Sequence, residues 1–255
     1  MAERGAEAAR ATPVLVSPAW PAPATVGACF TTRLGGVSVA PFDTLNLAMH
    51  VGDDPARVAE NRARLRAALG PGVAPCWLDQ VHGSHVVRLD DAVSGCAADA
   101  AITTRPGLAC AVMVADCVPV LLCARDGREV AAVHAGWRGL AGGIIGAAVG
   151  AFAAAPRALL AWIGPCIGPV AYAVGDDVRR QLLAATPHGA CCFARTGAGW
   201  QCDLAALAAR QLAHLGVTAI TRADTCVHAA PTRYYSHRRD GTSGRNAALI
   251  WLKAG

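Results

Sequence analysis

The sequence predicts a mixed α/β or α+β protein that folds as a single domain around a mixed β-sheet. Apolar runs of strand length alternate along the chain with segments that carry helix-like apolar spacing and helix-capping residues. Three central runs, at residues 108–114, 118–123 and 129–134, follow one another through short connections, which favours antiparallel pairing in part of the sheet. No internal repeat or low-complexity linker divides the chain, so we expect a flexible tail at residues 1–13 and one domain over residues 14–255.

Local signals justify the individual elements in chain order. A strand at residues 26–32 leads into a turn at residues 33–36, and Asp54 with Pro55 provides the N-cap and first-turn proline of a helix that runs to about Leu69. The other expected strands lie near residues 74–78, 85–89, 158–163, 217–221 and 247–252. The other expected helices lie near residues 143–154 and 176–185, and between the cap Asp203 and Gly216.

Composition argues against a membrane protein, although hydrophobic residues make up 54% of the 255 and the mean hydropathy is +0.35. The longest uncharged stretch, residues 139–156, is mostly Gly and Ala. It falls short of the roughly 20 strongly apolar residues that span a bilayer, so we expect a buried helix there. Residues 1–13 are charged and lack the apolar segment of a signal peptide. We therefore expect a cytoplasmic protein with reduced cysteines.

The formal net charge of +5 does not indicate a nucleic-acid partner. Of 23 basic residues 22 are Arg and one is Lys253, and together with abundant Ala this pattern indicates base-composition bias in the coding sequence. One group of basic residues is dense and lies near the C-terminus: Arg233, His237, Arg238, Arg239 and Arg245. Arginine forks suit phosphate or carboxylate oxygens, so this group is either a small-anion site or a solvated, salt-bridged face.

Three residues in short, unusual settings carry ligand chemistry: His82, Cys117 and His134. Two imidazoles and a thiolate make a three-ligand set for Zn²⁺ that leaves the fourth position open, as in catalytic zinc sites. Cys117 follows one apolar run and His134 ends another, and such strand ends commonly carry functional sites. The Cys–His pair alone would also suit nucleophilic catalysis. The structural alternative is chance proximity among 11 cysteines and 8 histidines, with Cys117 as a small buried hydrophobe.

Several polar residues near these ligands are candidates for the same site. Gln80 is two residues from His82 and shares its side of an extended segment. Asp116, beside the candidate thiolate, is expected either to orient a histidine or to act as a proton donor and acceptor. The adjacent pair Trp137 and Arg138 would suit a purine and an anion, or a buried ring with a salt-bridged guanidinium. Candidate ligand contacts also include Asn46, which could equally bridge a turn.

Six segments resemble, in this order, the bacterial laccase-domain family, also described as polyphenol oxidases and as multifunctional purine nucleoside phosphorylases. They lie at residues 31–38 (TTRLGGVS), 77–83 (WLDQVHG), 115–120 (ADCVPV), 133–139 (VHAGWRG), 163–169 (IGPCIGP) and 235–245 (YSHRRDGTSGR). The resemblance covers about residues 26–252, and the combination of segments is specific although each segment alone would be weak.

The resemblance implies a single-domain layered α/β fold, related to the Cys–His hydrolase-like fold of a bacterial deamidating toxin. It implies zinc bound through His82, Cys117 and His134. It also implies phosphorolysis of adenosine, inosine, guanosine and methylthioadenosine, together with adenosine deamination. On this basis purine nucleosides and phosphate are the expected partners. The expected anion or ribose contacts are Arg33, Arg138, Arg239 and Arg245.

Two positions depart from the family pattern. Ala173 stands where many members have glutamate, and His237 stands where an aromatic residue is usual. Neither belongs to the ligand trio, so these departures bear on substrate preference.

Three alternatives remain open at this point. The first is copper-dependent phenol oxidation. Multicopper oxidases need several clustered histidine motifs, whereas one Cys and two His form only one candidate centre here. The second is amide hydrolysis by Cys117 with His134 as base, the chemistry of editing peptidoglycan precursors. The third is a non-catalytic protein that zinc stabilises. A monomer or small homo-oligomer is expected in each case.

Overall fold

Two large β-sheets and six α-helices make up the computed structural model, which describes residues 12–90, 94–197 and 199–254. The strands are β1 (Leu15–Val16), β2 (Val26–Thr31), β3 (Ala74–Trp77), β4 (Val86–Arg88), β5 (Ala100–Thr103), β6 (Leu108–Val114), β7 (Val118–Ala124), β8 (Val130–Ala135), β9 (Leu159–Ile163), β10 (Ala173–Val174), β11 (Phe193–Thr196), β12 (Gly199–Cys202), β13 (Ala219–Arg222) and β14 (Asn246–Leu252). The helices are α1 (Pro55–Leu69), α2 (Trp137–Ala141), α3 (Ile144–Gly150), α4 (Asp176–Ala185), α5 (Leu204–His214) and α6 (His237–Asp240).

Both large sheets are mixed. The five-stranded sheet has the order β1-β2-β14-β6-β3, and only β3 and β6 pair in parallel. The six-stranded sheet has the order β13-β9-β7-β8-β5-β4, with parallel pairs at its two edges and antiparallel pairs between them. A small antiparallel sheet has the order β10-β12-β11. The predicted mixed α/β class and the antiparallel pairing are confirmed.

Three apolar cores separate the layers of the fold. Between the two large sheets, Val112 of β6 and Leu121 of β7 are fully buried. On the other face of the six-stranded sheet, Val120 packs in one cluster with Ile144 of α3. Leu65 of α1 belongs to the third core, against the outer face of the five-stranded sheet. Successive residues of a strand point to opposite faces, so β6 and β7 each contribute side chains to two cores. Their sequences are therefore continuous apolar runs.

The structure refines the single sheet suggested by the sequence. β7 and β8 pair as expected, but β6 lies in the other sheet, so residues 115–117 carry the chain from one sheet to the next. Strands buried on both faces have no apolar alternation to indicate which neighbour they pair with, and this explains the difference. The crossover places Cys117 at the end of the interface between the sheets.

The helix expected at residues 143–154 is shorter and is preceded by a separate turn of helix. α2 ends at Ala141, and Gly143, with φ +84°, redirects the chain into α3. None of the helices within the described ranges is long and apolar enough to cross a membrane. Residues 1–11 of the expected N-terminal tail lie outside the described residues, whereas Pro13 is buried.

Candidate metal centre

The fold brings the three predicted ligands together from separate elements. His82 lies in the loop after β3, Cys117 lies in the crossover between the sheets, and His134 is in β8. Their ligand atoms all lie within 4.8 Å of one another. The two imidazole rings meet edge to face, with centroids 4.7 Å apart. Residues separated by up to 52 positions in sequence therefore form one compact group at the end of the two-sheet interface.

Both loops that carry ligands include a residue in the left-handed backbone region. His82 has φ +59° and Asp116, directly before Cys117, has φ +100°. Such conformations cost non-glycine residues on the order of 1–3 kcal/mol and persist only where the surroundings enforce them. The Asp116 carboxylate accepts hydrogen bonds from Ser236 Oγ at 2.6 Å and from the Arg238 backbone N–H at 2.6 Å. These contacts fix the backbone that presents Cys117.

Asp99, directly before β5, organises the other two ligands. Its carboxylate accepts from His134 Nδ1 at 2.8 Å and from the backbone N–H groups of His82 and Gly83 at 2.9 and 2.6 Å. Burial alone would raise the pKa of Asp99, but the hydrogen bonds from His134 and Gly83 lower it below its usual value. With Nδ1 occupied, His134 presents Nε2 to the site.

Asp99 is not among the residues predicted from the sequence, which gave Asp116 two alternative roles: orienting a histidine, or donating and accepting a proton. In the structure the Asp116 carboxylate contacts Ser236 and Arg238, and the carboxylate bonded to a histidine is that of Asp99. The available signal was an acidic residue inside an otherwise apolar run at residues 97–102. A buried carboxylate needs hydrogen-bond partners, so such a position indicates a specific structural task.

Cys117 and His134 shift each other's protonation. Burial alone would raise the pKa of the Cys117 thiol, but the charge and hydrogen bonding of His134 and His82 lower it to about 6. Burial alone would lower the pKa of His134, but the Cys117 thiolate and Asp99 raise it to about 9. In the metal-free protein the pair therefore favours thiolate and imidazolium. A thiolate is the form that both binds metal and acts as a nucleophile.

The donor set fits a single zinc ion. Zinc–nitrogen and zinc–sulfur bonds of about 2.0–2.3 Å place tetrahedral ligand atoms about 3.3–3.6 Å apart, so the present group needs to close by only about 1 Å. Gly136 leaves the necessary room: a Cβ atom there would lie 2.9 Å from Cys117 Sγ and 3.3 Å from His82 Cδ2. Within the described ranges, this is the one group of three or more His, Cys, Asp or Glu residues close enough to hold a metal.

A cleft of about 350 Å³ opens beside the three ligands. Its lining is basic and aromatic around the ligand group, and the residues other than the ligands are His50, Gln80, Met113, Val114, Ala115, Asp116, Trp137, Arg138, Tyr172, His237, Arg238 and Arg245. Arg138 lies over the Trp137 ring at 4.6 Å and Arg238 over the Tyr172 ring at 4.8 Å. Stacking of this kind orients a guanidinium plane while leaving its edge for an anion.

Three of the six expected substrate contacts line this cleft. Arg138 and Arg245 do so directly. Gln80 lines it as well, and its amide group pairs with the backbone of Met113, accepting from the N–H at 2.7 Å and donating to the carbonyl at 2.8 Å. Gln80 therefore also ties the His82 loop to β6.

The other three expected contacts lie elsewhere and bond within the protein. Arg33 donates to the backbone carbonyls of residues 43 and 231 and pairs with Asp43. Arg239 donates to the carbonyls of residues 227, 228 and 234. Asn46 is fully buried and accepts from the Arg245 backbone N–H at 3.0 Å. The structure thus brings Arg238 of the basic group to the cleft in place of its neighbour Arg239.

The two departures from the family pattern sit at the same edge of the cleft. The backbone carbonyl of Ala173 accepts a hydrogen bond from Arg238 at 3.1 Å. His237 lines the cleft beside Arg238. His50 and Tyr172 also line it. Tyr172 directly precedes Ala173, whereas nothing in the local sequence marks His50, which long-range folding alone brings there.

The fold and the site define a two-sheet α/β protein with a candidate three-ligand metal centre in a basic cleft. The chain belongs to the family described as multi-copper polyphenol oxidoreductase laccase, whose model matches residues 27–253. It is 47% identical over 239 residues to a Shigella flexneri protein named purine nucleoside phosphorylase YfiH, covering 93% of this chain and 98% of that protein. It is also 47% identical over 240 residues to purine nucleoside phosphorylase PA4543 of Pseudomonas aeruginosa, with the same two coverages.

Solved structures share the whole fold. Neisseria meningitidis NMB0706 superposes with a TM-score of 0.91 at 40% identity, over 94% of this chain and 99% of that one. YlmD from Geobacillus stearothermophilus superposes with a TM-score of 0.89 at 34% identity, over 96% and 97% of the two chains.

Proposed function

We propose that this protein is a zinc-dependent purine nucleoside phosphorylase that also deaminates adenosine. The observation that carries the proposal is the group of His82, Cys117 and His134 at the edge of a cleft lined by three arginines. The names of the relatives at 46–47% identity support the phosphorylase assignment. Purine nucleosides and phosphate are the proposed partners, and the cytoplasm is the proposed location.

The side chains that line the cleft suggest which residue would take which role in this reaction. Arg138, Arg238 and Arg245 would hold phosphate oxygens, and Trp137 would offer an apolar face to a purine base. Fixed guanidinium groups also stabilise negative charge that develops during bond cleavage. A zinc ion held by the trio would supply Lewis acidity and would make a water molecule more acidic. Asp116, which lines the cleft, is the proposed group for proton transfer. His134 would serve as a ligand in the zinc-dependent reaction, because its Nδ1 is bonded to Asp99.

Product analysis tests this function. Purified, metal-assayed protein is incubated with adenosine, with and without phosphate, and the wild type is compared with Cys117→Ala. We expect adenine and ribose 1-phosphate to form only when phosphate is present. Inosine should form whether or not phosphate is added, because deamination uses water. Both activities should be lost in Cys117→Ala, because the substitution removes one of three ligands.

Cys191→Ala is the matched control, since Cys191 is exposed and does not line the cleft. It should retain both activities. A folded, zinc-loaded sample that turns over no nucleoside would contradict the proposal. Metal analysis of the same samples distinguishes zinc from copper, the metal named in the family description.

Amide hydrolysis is a second candidate, and one observation favours it. Cys117, His134 and Asp99 form a nucleophile–base–carboxylate series, with Asp99 bonded to His134 Nδ1. His82 has no necessary role in such a series. His82→Ala should therefore abolish a zinc-dependent reaction while leaving an amide hydrolase partly active.

A further inference from the structure

One buried carboxylate connects the two histidines of the candidate metal centre. Asp99 is 0% exposed, and four N–H donors converge on it. Three are the consecutive backbone amides of Val81, His82 and Gly83, at 3.3, 2.9 and 2.6 Å. The fourth is His134 Nδ1, at 2.8 Å. The backbone of one ligand and the ring of the other therefore share a single acceptor group.

The anchor of this carboxylate is rigid. The Asp99 carbonyl accepts from the His134 backbone N–H at 2.7 Å, and the Asp99 N–H donates to the His85 carbonyl at 3.0 Å. The neighbouring residues of β5 and β8 pair in register. Asp99 is thus held against His134 through its main chain as well as its side chain.

The His82 loop, by contrast, has little packing of its own. Val81, His82, Ser84 and His85 are exposed, and His82 has φ +59°. Apolar burial therefore does not hold His82 in place. Consecutive backbone amides that point at one anion form a compact nest and hold a loop in a left-handed turn.

We propose that Asp99 is a positioning residue that fixes the separation of His82 and His134 and so determines how tightly the trio binds its metal. The inference rests on the proposed metal-dependent function. Asp99 acts through the loop at residues 81–83 and through the Nδ1 atom of His134, while Nε2 remains directed at the site. Outer partners of this kind typically change metal affinity roughly 10- to 100-fold.

The test is the zinc affinity of Asp99→Asn, measured by competition with a chromophoric chelator. Asparagine keeps the shape of the side chain but replaces one acceptor oxygen with a donor, so four donors no longer share two oxygens. We expect zinc binding to weaken roughly 10- to 100-fold, with an unchanged far-ultraviolet circular dichroism spectrum. Wild-type affinity in this variant would overturn the proposal.

Asp53→Asn is the matched control. Asp53 is also buried, and it accepts from Ser38 Oγ at 2.6 Å, Asn46 Nδ2 at 2.9 Å and the Asp54 N–H at 2.8 Å. It touches none of the three ligands. Asp53→Asn should lower stability and leave zinc affinity unchanged, and an equal loss of affinity in both variants would reduce Asp99 to a merely structural role.

Hydrogen exchange in the wild type tests the same idea without any substitution. The amide hydrogens of His82 and Gly83 should exchange slowly in the metal-free protein despite the exposure of their loop, and fast exchange would contradict the proposal. In a His82→Ala background, the further effect of Asp99→Asn on zinc affinity should shrink, because part of it acts through residue 82. If the losses of zinc affinity from the two substitutions are strictly additive, Asp99 does not act through residue 82.

Nucleoside turnover is recorded in the same samples, so the two proposals fail separately. Tight zinc binding that depends on Asp99 without turnover would contradict the proposed function and leave the positioning role in place. Turnover by wild type together with undiminished zinc affinity in Asp99→Asn would overturn the positioning role alone.

Discussion

Cys117 differs from the buried cysteines of the core in its protonation. Burial raises the pKa of the Cys29 and Cys123 thiols to about 12, whereas the imidazoles beside Cys117 lower its pKa to about 6. Only the thiolate is strongly nucleophilic, so these environments separate a reactive sulfur from inert ones. The same contrast favours a reactive role for Cys117 over that of a small apolar residue, the alternative that the sequence left open.

Alkylation as a function of pH measures this difference. In the metal-free protein, the iodoacetamide reaction of Cys117 should rise with a midpoint near pH 6, because the thiolate dominates above the lowered pKa of about 6. Cys29 and Cys123 should stay unlabelled at neutral pH. Peptide mass spectrometry resolves the sites. In His134→Ala the midpoint should move upward, and a wild-type midpoint near 8.5, the ordinary cysteine value, would contradict the assignment.

The close packing of Gly136 against Cys117 gives a second prediction at the scale of single residues. Its backbone, with φ −70° and ψ 169°, tolerates any residue, but an added Cβ would lie 2.9 Å from Cys117 Sγ. Gly136→Ala should therefore weaken zinc binding by displacing the sulfur. The control is Gly146→Ala within α3, where a Cβ meets no atom within 4 Å. That variant should keep its zinc affinity and gain about 0.5–1 kcal/mol of stability. Equal zinc affinity in the two variants would contradict the crowding argument.

At the scale of elements, the short helix α6 depends on the Cys117 loop. Ser236 is fully buried, donates to Asp116, and accepts from the Arg239 backbone N–H at 3.3 Å as the N-cap. The Arg238 N–H also donates to Asp116. One carboxylate therefore attaches α6, and with it the Arg238 side chain, to the crossover that carries Cys117.

Removing the Ser236 hydroxyl should affect phosphate more than metal. Loss of one hydrogen bond to a buried carboxylate costs about 1–2 kcal/mol. If this loss of free energy acts entirely on the position of Arg238, it corresponds to a roughly 5- to 30-fold rise in the KM for phosphate. Steady-state kinetics of Ser236→Ala with adenosine and phosphate measure it, and zinc content should stay unchanged. Ser94→Ala, which loses bonds to Trp77 outside the cleft, should show wild-type KM. An unchanged KM for phosphate in Ser236→Ala would contradict a role for α6 in positioning Arg238 for phosphate.

The elements also indicate how far sequence reasoning extends. α1 begins at Pro55 and ends at Leu69 as predicted, because its N-cap Asp54 and the glycine after it are local signals. β5 was missed, since four residues buried on both faces give no alternation. Asp99 directly precedes β5, so the same omission concealed the carboxylate that contacts both histidines. Residue chemistry was enough to propose the three candidate ligands, whereas the residues that line the cleft depend on which elements meet in space.

At the scale of the whole molecule, the candidate metal centre lies where the two large sheets come together. His82 follows β3 of one sheet, His134 belongs to β8 of the other, and Cys117 lies on the segment that joins them. The three apolar cores pack on and between these sheets without using any ligand side chain other than the partly buried Cys117. The packing that holds the layers together is therefore almost independent of the metal.

Removal of zinc should consequently leave the fold intact. A ligand present at about 100 times its Kd stabilises the native state by about 2.7 kcal/mol. For a domain of this size such a loss lowers Tm by roughly 5–10 °C. After dialysis against a chelator, the far-ultraviolet circular dichroism spectrum should be unchanged, thermal unfolding should remain cooperative at a Tm lower by that amount, and added zinc should restore both Tm and activity. Cooperative unfolding on chelation at 25 °C would instead indicate a zinc-stabilised binding protein, because metal binding and not the packing of the three cores would then supply the folding free energy.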